Sequence, residues 1–292
     1  MNFNYTRIAP TPSGFLHLGN AYSFLLTKAL AEKHGIKILL RIDDLDRERY
    51  RTEFVEDIFE TLDFLEIPID KGPKSVQEFE SEWSQIHRMG LYKSALEKVR
   101  DSKLAFACDC SRKKITQMNP TGHYLGQCLD RRIPLDRLDT SWRINTLDSD
   151  FLTFTEYPDK KVTDIIPEET AFYIVRKKDR LPAYHLTSVV DDVHFGVDLI
   201  VRGKDLYPST LAQLDLARIL KEPQFLACTF FHNELIKGPS NEKLSKSAGS
   251  TSIQNLRKEG KKLSDLFLTL GQIIGAKEEL RTFEDFKNHV IK

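Results

Sequence analysis

Residues 5–42 read YTRIAPTPSGFLHLGNAYSFLLTKALAEKHGIKILLRI, and their patterning decides the fold class. Residues 5–9 alternate as a short strand, which the Pro- and Gly-containing residues 10–14 break. From 21 to 34 the apolar positions Ala21, Leu25, Ala29 and Leu30 follow helical spacing, and Gly35 ends that helix because it tolerates positive φ. IKILLRI at 36–42 is a β-rich apolar run of the kind that forms a parallel strand buried on both faces. Strand, helix and strand within about 40 residues make a βαβ unit, expected to be right-handed and part of a Rossmann-type α/β sheet.

Working outward, helical spacing returns at 53–65 and 90–103. Residues 104–179 hold short apolar segments, turn residues and a cysteine cluster, and are expected to form an insertion. Sheet-like patterning resumes at 183–202, where SVVDDVHFGVDLIVRG supplies β-branched runs. A helix is expected at 209–220, a strand at 225–232, and helices at 253–274 and 282–291. The expected organisation is a first half-domain at 1–103, the insertion at 104–180, a second half-domain at 181–250 and a short helical C-terminal subdomain at 251–292.

The 292 residues are enough to bury a sizeable core without disulfides. Apolar content of 40% and charged content of 29% belong to an ordinary globular chain. Forty-three basic and 43 acidic residues balance, which neither indicates nor excludes a nucleic-acid partner, because a local basic patch is what meets phosphate. MNFNYTRIAP lacks the charged-then-apolar run of a secretion signal, and no stretch approaches the ~20 apolar residues of a membrane span. A cytosolic protein without a membrane association, and a monomer, are the default expectations.

Two segments carry chemistry. In PTPSGFLHLGN, at 10–20, His17 and Asn20 fall on the opening turn of a helix, where free N–H groups and the helix dipole favour phosphate. In NEKLSKSAGS, at 241–250, Lys243 and Lys246 can neutralise charge growing on a triphosphate. Taken singly, the first is a strand-to-helix turn with a solvated histidine, and the second a polar surface loop. As a pair, HLGN and KLSKS resemble the two signatures of class I aminoacyl-tRNA synthetases. That resemblance implies that His17 and Asn20 bind ATP phosphates, that Lys243 and Lys246 act with them, and that Lys246 stabilises the transition state.

The resemblance narrows to the glutamyl/glutaminyl branch through RIAPTPSGFLHLGNA, RIDDLDRER at 41–49, PAYHLTSVVDD, and VRGKDL ending at Leu206. It implies a glutamate pocket in which Arg7 and Arg202 face the side-chain carboxylate, Asp43 takes the α-ammonium, and Ala9, Ser13 and Tyr184 complete the lining. Arginine forks suit a carboxylate because they bond it through two parallel N–H groups. Asp43 stands where the family usually has Glu, which shortens the reach by about one carbon–carbon bond, roughly 1.5 Å; either the substrate shifts, a water bridges, or Asp44 shares the role. Asn20 stands where the family has a second His.

Cys108, Cys110 and Cys128 lie within 21 residues, whereas Cys228, inside FLACTFF, reads as a small core hydrophobe. Three thiolates and one oxygen or nitrogen donor complete a tetrahedral zinc site, and His123 and Tyr124 compete for the fourth position. Three partly buried thiols without metal are the alternative. Cys-x-Cys followed by Tyr-x3-Cys resembles the zinc motif of glutamyl-queuosine-tRNA(Asp) synthetases, and that resemblance implies Tyr124. About 45 residues follow Ser247, too few for a separate anticodon-reading domain, which fits the same family. The expected activity is therefore ATP- and Mg²⁺-dependent activation of L-glutamate and its transfer to the queuosine base at the wobble position of tRNA(Asp). A truncated glutamyl-tRNA synthetase that charges the 3′ end, a non-catalytic relative that binds RNA or amino acid, and an adenylyl- or cytidylyltransferase are the alternatives.

Overall fold

The computed structural model describes residues 2–236 and 252–291. Its strands run in the order β1 (Tyr5–Ile8), β2 (Lys37–Leu40), β3 (Ala105–Cys108), β4 (Ser141–Ile144), β5 (Leu152–Glu156), β6 (Lys160–Asp164), β7 (Ile174–Arg176), β8 (Leu199–Gly203) and β9 (Thr229–Asn233). The chain divides into two compact units. One draws on Met1–His87, Leu199–Lys204 and Asn233–Lys292, the other on Arg88–Asp198 and Asp205–His232.

In the first unit β1 lies between β2 and β8 and runs parallel to both, with Arg7 opposite Leu39 and Thr6 opposite Leu199. The apolar run of β2 is buried, as the sequence pattern predicts for a parallel strand covered on both faces, and β1 and β8 are buried beside it, β1 through Thr6, Arg7 and Ile8. Helix α1 (Leu18–His34) connects β1 to β2 and ends at Gly35, whose φ of 63° lets its N–H reach the carbonyls of Ala31 and Glu32. Backbone pairing continues past the strand ends, from Arg41 N–H to Ile8 O and from Asp43 N–H to Pro10 O, both 2.9 Å.

Helix α2 (Thr52–Phe64) and three C-terminal helices, Ile253–Lys258, Leu263–Ile273 and Phe283–Val290, complete this unit. The continuous helix expected at 253–274 is broken at Gly260, whose φ of 69° lies outside helical space. Phe286 is fully buried, edge-on to Tyr22 and tilted against Phe267, so it fastens the last helix onto α1. Lys28 on α1 adds a cation–π contact, with its ammonium 4.0 Å from the Phe283 ring centroid.

In the second unit β3, β4 and β7 form an antiparallel sheet, and the β5–β6 hairpin pairs through β5 in parallel with β9. Helices Met89–Asp101, Tyr184–Phe195 and Tyr207–Leu220 pack together beside them. Arg88 forms a two-pronged ion pair with buried Asp191, which also accepts the Tyr92 hydroxyl at 2.7 Å. The residues expected as sheet at 183–195 are instead a helix, ended by Gly196 at φ 75°. Leu186, Val189, Asp191, Asp192 and Phe195 are buried on it, so packing overrides the β-branched composition. Likewise a one-turn helix that starts at Pro223 runs into the expected 225–232 strand, and β9 begins only at Thr229.

Among the described residues no helix is long and apolar enough to cross a membrane. Phe286→Ala should lower the unfolding free energy by about 3–5 kcal/mol, because a large cavity opens between α1 and the last two helices; urea denaturation followed by circular dichroism measures it.

Candidate active site and metal centre

β1 hands the chain to α1 through residues 9–17. Ser13 N–H closes a tight turn onto Thr11 O at 2.8 Å, and His17 becomes the N-cap residue of α1. Its Nδ1 accepts the Gly19 N–H at 3.1 Å, while Asn20 Oδ1 accepts the His17 N–H at 3.1 Å. HLGN is thus a reciprocal capping box built with an imidazole and an amide. With Nδ1 used as an acceptor, the ring proton of neutral His17 resides on Nε2, which is then a donor. A Cβ on Gly19 would lie 2.9 Å from His17 Cε1, so this position keeps the imidazole in its place by having no side chain.

The predicted amino-acid pocket residues of the first unit gather at the carboxyl ends of its parallel strands, the customary ligand edge of an α/β sheet. Arg7 on β1 and Arg202 on β8 are both buried, and Arg7 Nη1 donates to Val201 O at 2.9 Å, next to Arg202 itself. Ala9 follows β1 directly, and Ser13 sits in the turn beyond it. Asp43, three residues past β2, is gripped by Arg41 through Nε at 2.7 Å and Nη2 at 3.0 Å.

Arg41, which holds Asp43, is a residue that the sequence reading did not single out. Strand alternation, which turns residues 41 and 43 to the same side, is the signal that was available. Asp44, beside Asp43, has partners of its own. Its carboxylate takes the Ser84 hydroxyl at 2.5 Å, the Gln85 N–H at 2.8 Å and Arg47 Nη1 at 2.7 Å. These donors hold it as an anchor for residues 84–85.

Tyr184 belongs to the second unit, where it opens helix Tyr184–Phe195 and is 40% exposed. Lys243 and Lys246 lie outside the described residues.

The second unit also holds the cysteine cluster. Cys108 ends β3, and Cys108, Cys110 and Cys128 are buried with their sulfurs all within 4.8 Å of one another. Cys110 Sγ and Cys128 Sγ are 3.6 Å apart, far beyond a disulfide bond and near the ~3.8 Å edge of a tetrahedron with 2.3 Å metal–sulfur bonds. The Tyr124 ring is buried between Phe106 and Phe172, and its hydroxyl accepts the Cys128 N–H at 2.8 Å. His123 is engaged instead through its backbone, by Asn119 and Thr121.

Burial and the neighbouring sulfurs push the Cys110 thiol up to about 12, and burial together with Cys108 and Cys128 raises the Tyr124 hydroxyl. Burial opposes ionisation of Cys128 as well, but hydrogen bonds with Tyr124, Asp109 and Cys110 lower its thiol overall, and three buried sulfurs within 4.8 Å of one another are a soft donor set for a cation. The donor set therefore fits a metal ion. Around it, Arg131 Nη1 reaches Cys128 Sγ at 3.2 Å, and the Arg143 guanidinium lies 3.9 Å over the Tyr124 ring.

The chain matches the family model of tRNA synthetases class I (E and Q), catalytic domain, over residues 5–137 and 157–290. A glutamate–tRNA ligase of Nitrosococcus oceani is 30% identical over 87% of this chain and 53% of its own length. A protein named glutamyl-Q tRNA(Asp) synthetase from Symbiobacterium thermophilum is 32% identical over 87% of this chain and 81% of its own. The chain spans about half the length of most of the curated relatives it matches. Among solved structures, a glutamate tRNA ligase from Elizabethkingia meningosepticum in complex with its amino acid superposes with a TM-score of 0.71 at 18% identity, covering 98% of this chain and 64% of that one. The strand-end arginines and the HLGN cap are thus set in a class I synthetase fold, and the chain belongs to the class I tRNA synthetases of the glutamate and glutamine branch through their catalytic domain.

Proposed function

We propose that this chain activates L-glutamate with ATP and transfers it to the queuosine base at the wobble position of tRNA(Asp). The observation that carries the activation step is the pair of buried arginines, Arg7 and Arg202, on neighbouring parallel strands, the first of which leads into the HLGN cap. Two guanidinium forks suit the side-chain carboxylate of a dicarboxylic amino acid. Asp43, held in register by Arg41, takes the α-ammonium, with Ala9, Ser13 and Tyr184 as further lining.

The first step forms a bond between an α-carboxylate oxygen of glutamate and the α-phosphorus of ATP, and the bond to pyrophosphate breaks. His17 Nε2–H and Asn20, on the opening turn of α1, hold phosphate oxygens, and Lys243 and Lys246 offset the charge that grows as pyrophosphate leaves. Mg²⁺ accompanies ATP and supplies phosphate charge neutralisation. In the second step a hydroxyl of the acceptor attacks the glutamyl carbonyl carbon, and AMP departs. The chain's contribution is to orient reactants, with no protein nucleophile.

Support for the queuosine acceptor comes from the Cys-x-Cys and Tyr-x3-Cys cluster, with the Tyr124 hydroxyl at the thiols, and from the named relative in Symbiobacterium thermophilum. Cys108, Cys110, Cys128 and Tyr124 are the proposed zinc ligands. Charging of the 3′ end of tRNA(Glu) is the competing reading, favoured by the identity with glutamate–tRNA ligases.

Pyrophosphate exchange into ATP should depend on glutamate and not on aspartate or glutamine. Arg202→Met should lower kcat/KM for glutamate on the order of 10- to 100-fold while leaving KM for ATP within about twofold, the loss that follows removal of a charge-assisted hydrogen bond. Unchanged glutamate kinetics would sink the pocket.

Radiolabelled glutamate should pass to queuosine-containing tRNA(Asp) and not to the same tRNA lacking queuosine. Transfer to tRNA(Glu) instead would establish the competing acceptor.

The purified chain should retain one equivalent of zinc. Tyr124→Phe should weaken zinc on the order of tenfold against a chromophoric chelator, and His123→Ala should leave it unchanged. The reverse ranking would make His123 the fourth ligand.

A further inference from the structure

Leu16, the residue before His17, has both of its backbone polar groups tied to elements distant in sequence. Its N–H donates to Asp57 Oδ2 on α2 at 2.9 Å. Its carbonyl accepts the N–H of Ile253 at 2.8 Å, and His17 pairs with Ser252 in a single antiparallel bridge. Ser252 is in turn the N-cap of helix Ile253–Lys258, with its hydroxyl accepting the Asn255 N–H.

The same carboxylate closes the circuit. Asp57 Oδ1 accepts Arg257 Nη2 at 2.5 Å, and Arg257 Nη1 reaches Glu60 Oε2 at 2.6 Å, one turn further along α2. Asp57 is 1% exposed, whereas Glu60 faces solvent. Burial raises the carboxyl of Asp57, so its ionised form depends on the two donors it holds. One buried side chain thus fixes the turn that carries His17 and, with its other oxygen, the helix entered where the chain returns beside that turn.

We propose that Asp57 and Arg257 are positioning residues for the ATP-binding turn, clamping Leu16 and Ser252–Ile253 together so that the imidazole of His17 meets the phosphates at a fixed place. Neither residue touches substrate. Their contact is with the backbone on either side of the cap: Asp57 through the Leu16 N–H, Arg257 through Asp57 and through the helix whose first N–H binds Leu16. A freely mobile cap would have to be ordered by ATP itself, at the expense of affinity, and the clamp removes that requirement before the nucleotide arrives.

The inference rests on the reading that His17 serves ATP, and the test separates the two. Wild type, Arg257→Met, Arg257→Lys and Asp57→Asn are compared in glutamate-dependent pyrophosphate exchange, with KM for ATP, KM for glutamate and kcat resolved, and melting temperature recorded. Arg257→Met keeps the apolar stem and removes the ion pairs. It should raise KM for ATP on the order of tenfold, the effect of losing a hydrogen bond to a charged group, with KM for glutamate within about twofold. Arg257→Lys, able to reach one carboxylate but not both, should fall between. Asp57→Asn, which can still accept from Leu16, should resemble Arg257→Met.

Equal kinetics in all four proteins would overturn the proposal. So would a fall in kcat with both KM values unchanged and a lower melting temperature, the mark of a purely structural ion pair, or a parallel rise in both KM values. If wild type itself gives no glutamate-dependent exchange, the functional reading has failed. The clamp is then judged by equilibrium binding of ATP to the same proteins, where equal affinities overturn it and a tenfold loss upholds it.

Discussion

Parallel pairing of β1 with β2 on one side and β8 on the other sends three carboxyl ends to the same edge of the first unit. Because β1 is the inner strand, the chain leaves it in one direction for α1 and β2 and finds β8 on its other flank only after Arg88–Asp198, the first segment of the second unit, has been made. A crevice at such a reversal of strand order is where open α/β sheets receive ligands. Arg7, Asp43 and Arg202, separated by up to 195 residues of sequence, are brought to the carboxyl ends of adjoining strands by this pairing. The backbone bonds of Arg41 to Ile8 and Asp43 to Pro10 extend the ladder past the strands proper, so the loop that bears Asp43 has the definition of a strand.

Charge is buried in this protein in small closed sets. Arg41 meets Asp43 with two hydrogen bonds, Arg88 and Tyr92 share Asp191, and Asp44 collects a hydroxyl, an N–H and a guanidinium. Such pairs add little net stability when compared with apolar packing, yet breaking one by removing a partner costs about 3–5 kcal/mol. Their effect is therefore on geometry: each holds an irregular segment in one arrangement. Asp44 does this for residues 84–85, Asp191 for the helices beginning at Met89 and Tyr184, and Asp57 for the turn before His17. The cap itself is local, since an imidazole nitrogen and an amide oxygen close it within four residues.

The cysteine cluster is assembled differently. Cys108 reaches it at the end of a strand paired with β4, and the other donors come from loop and turn residues within the next 20 positions. The aromatic rings of Phe106 and Phe172 and the guanidinium of Arg143 enclose Tyr124 and exclude water from its ring. A site of this kind depends on short-range spacing for its ligands and on the antiparallel sheet for the walls around them.

What the sequence by itself determined was local. Apolar spacing, Gly35 and the Pro/Gly turn were enough to specify β1, α1 and β2, and the HLGN, KLSKS and Cys-x-Cys spacings marked their segments because each is short and unusual. The sequence misread 183–195 as sheet because a run of Val and Asp has no single period until Leu186, Val189 and Phe195 find a core to face. It gave no sign of Asp57 and Arg257, which on a surface-like helix pattern are indistinguishable from solvated charges; only the fold brings them together across 200 positions and shields them. Nor could it tell that Asp44 is committed to Ser84 and Gln85, 40 and 41 positions further on. Tertiary structure alone decided these matters, because the energy of a charge depends on which groups surround it and how much water they displace, and neither is a property of its neighbours along the chain.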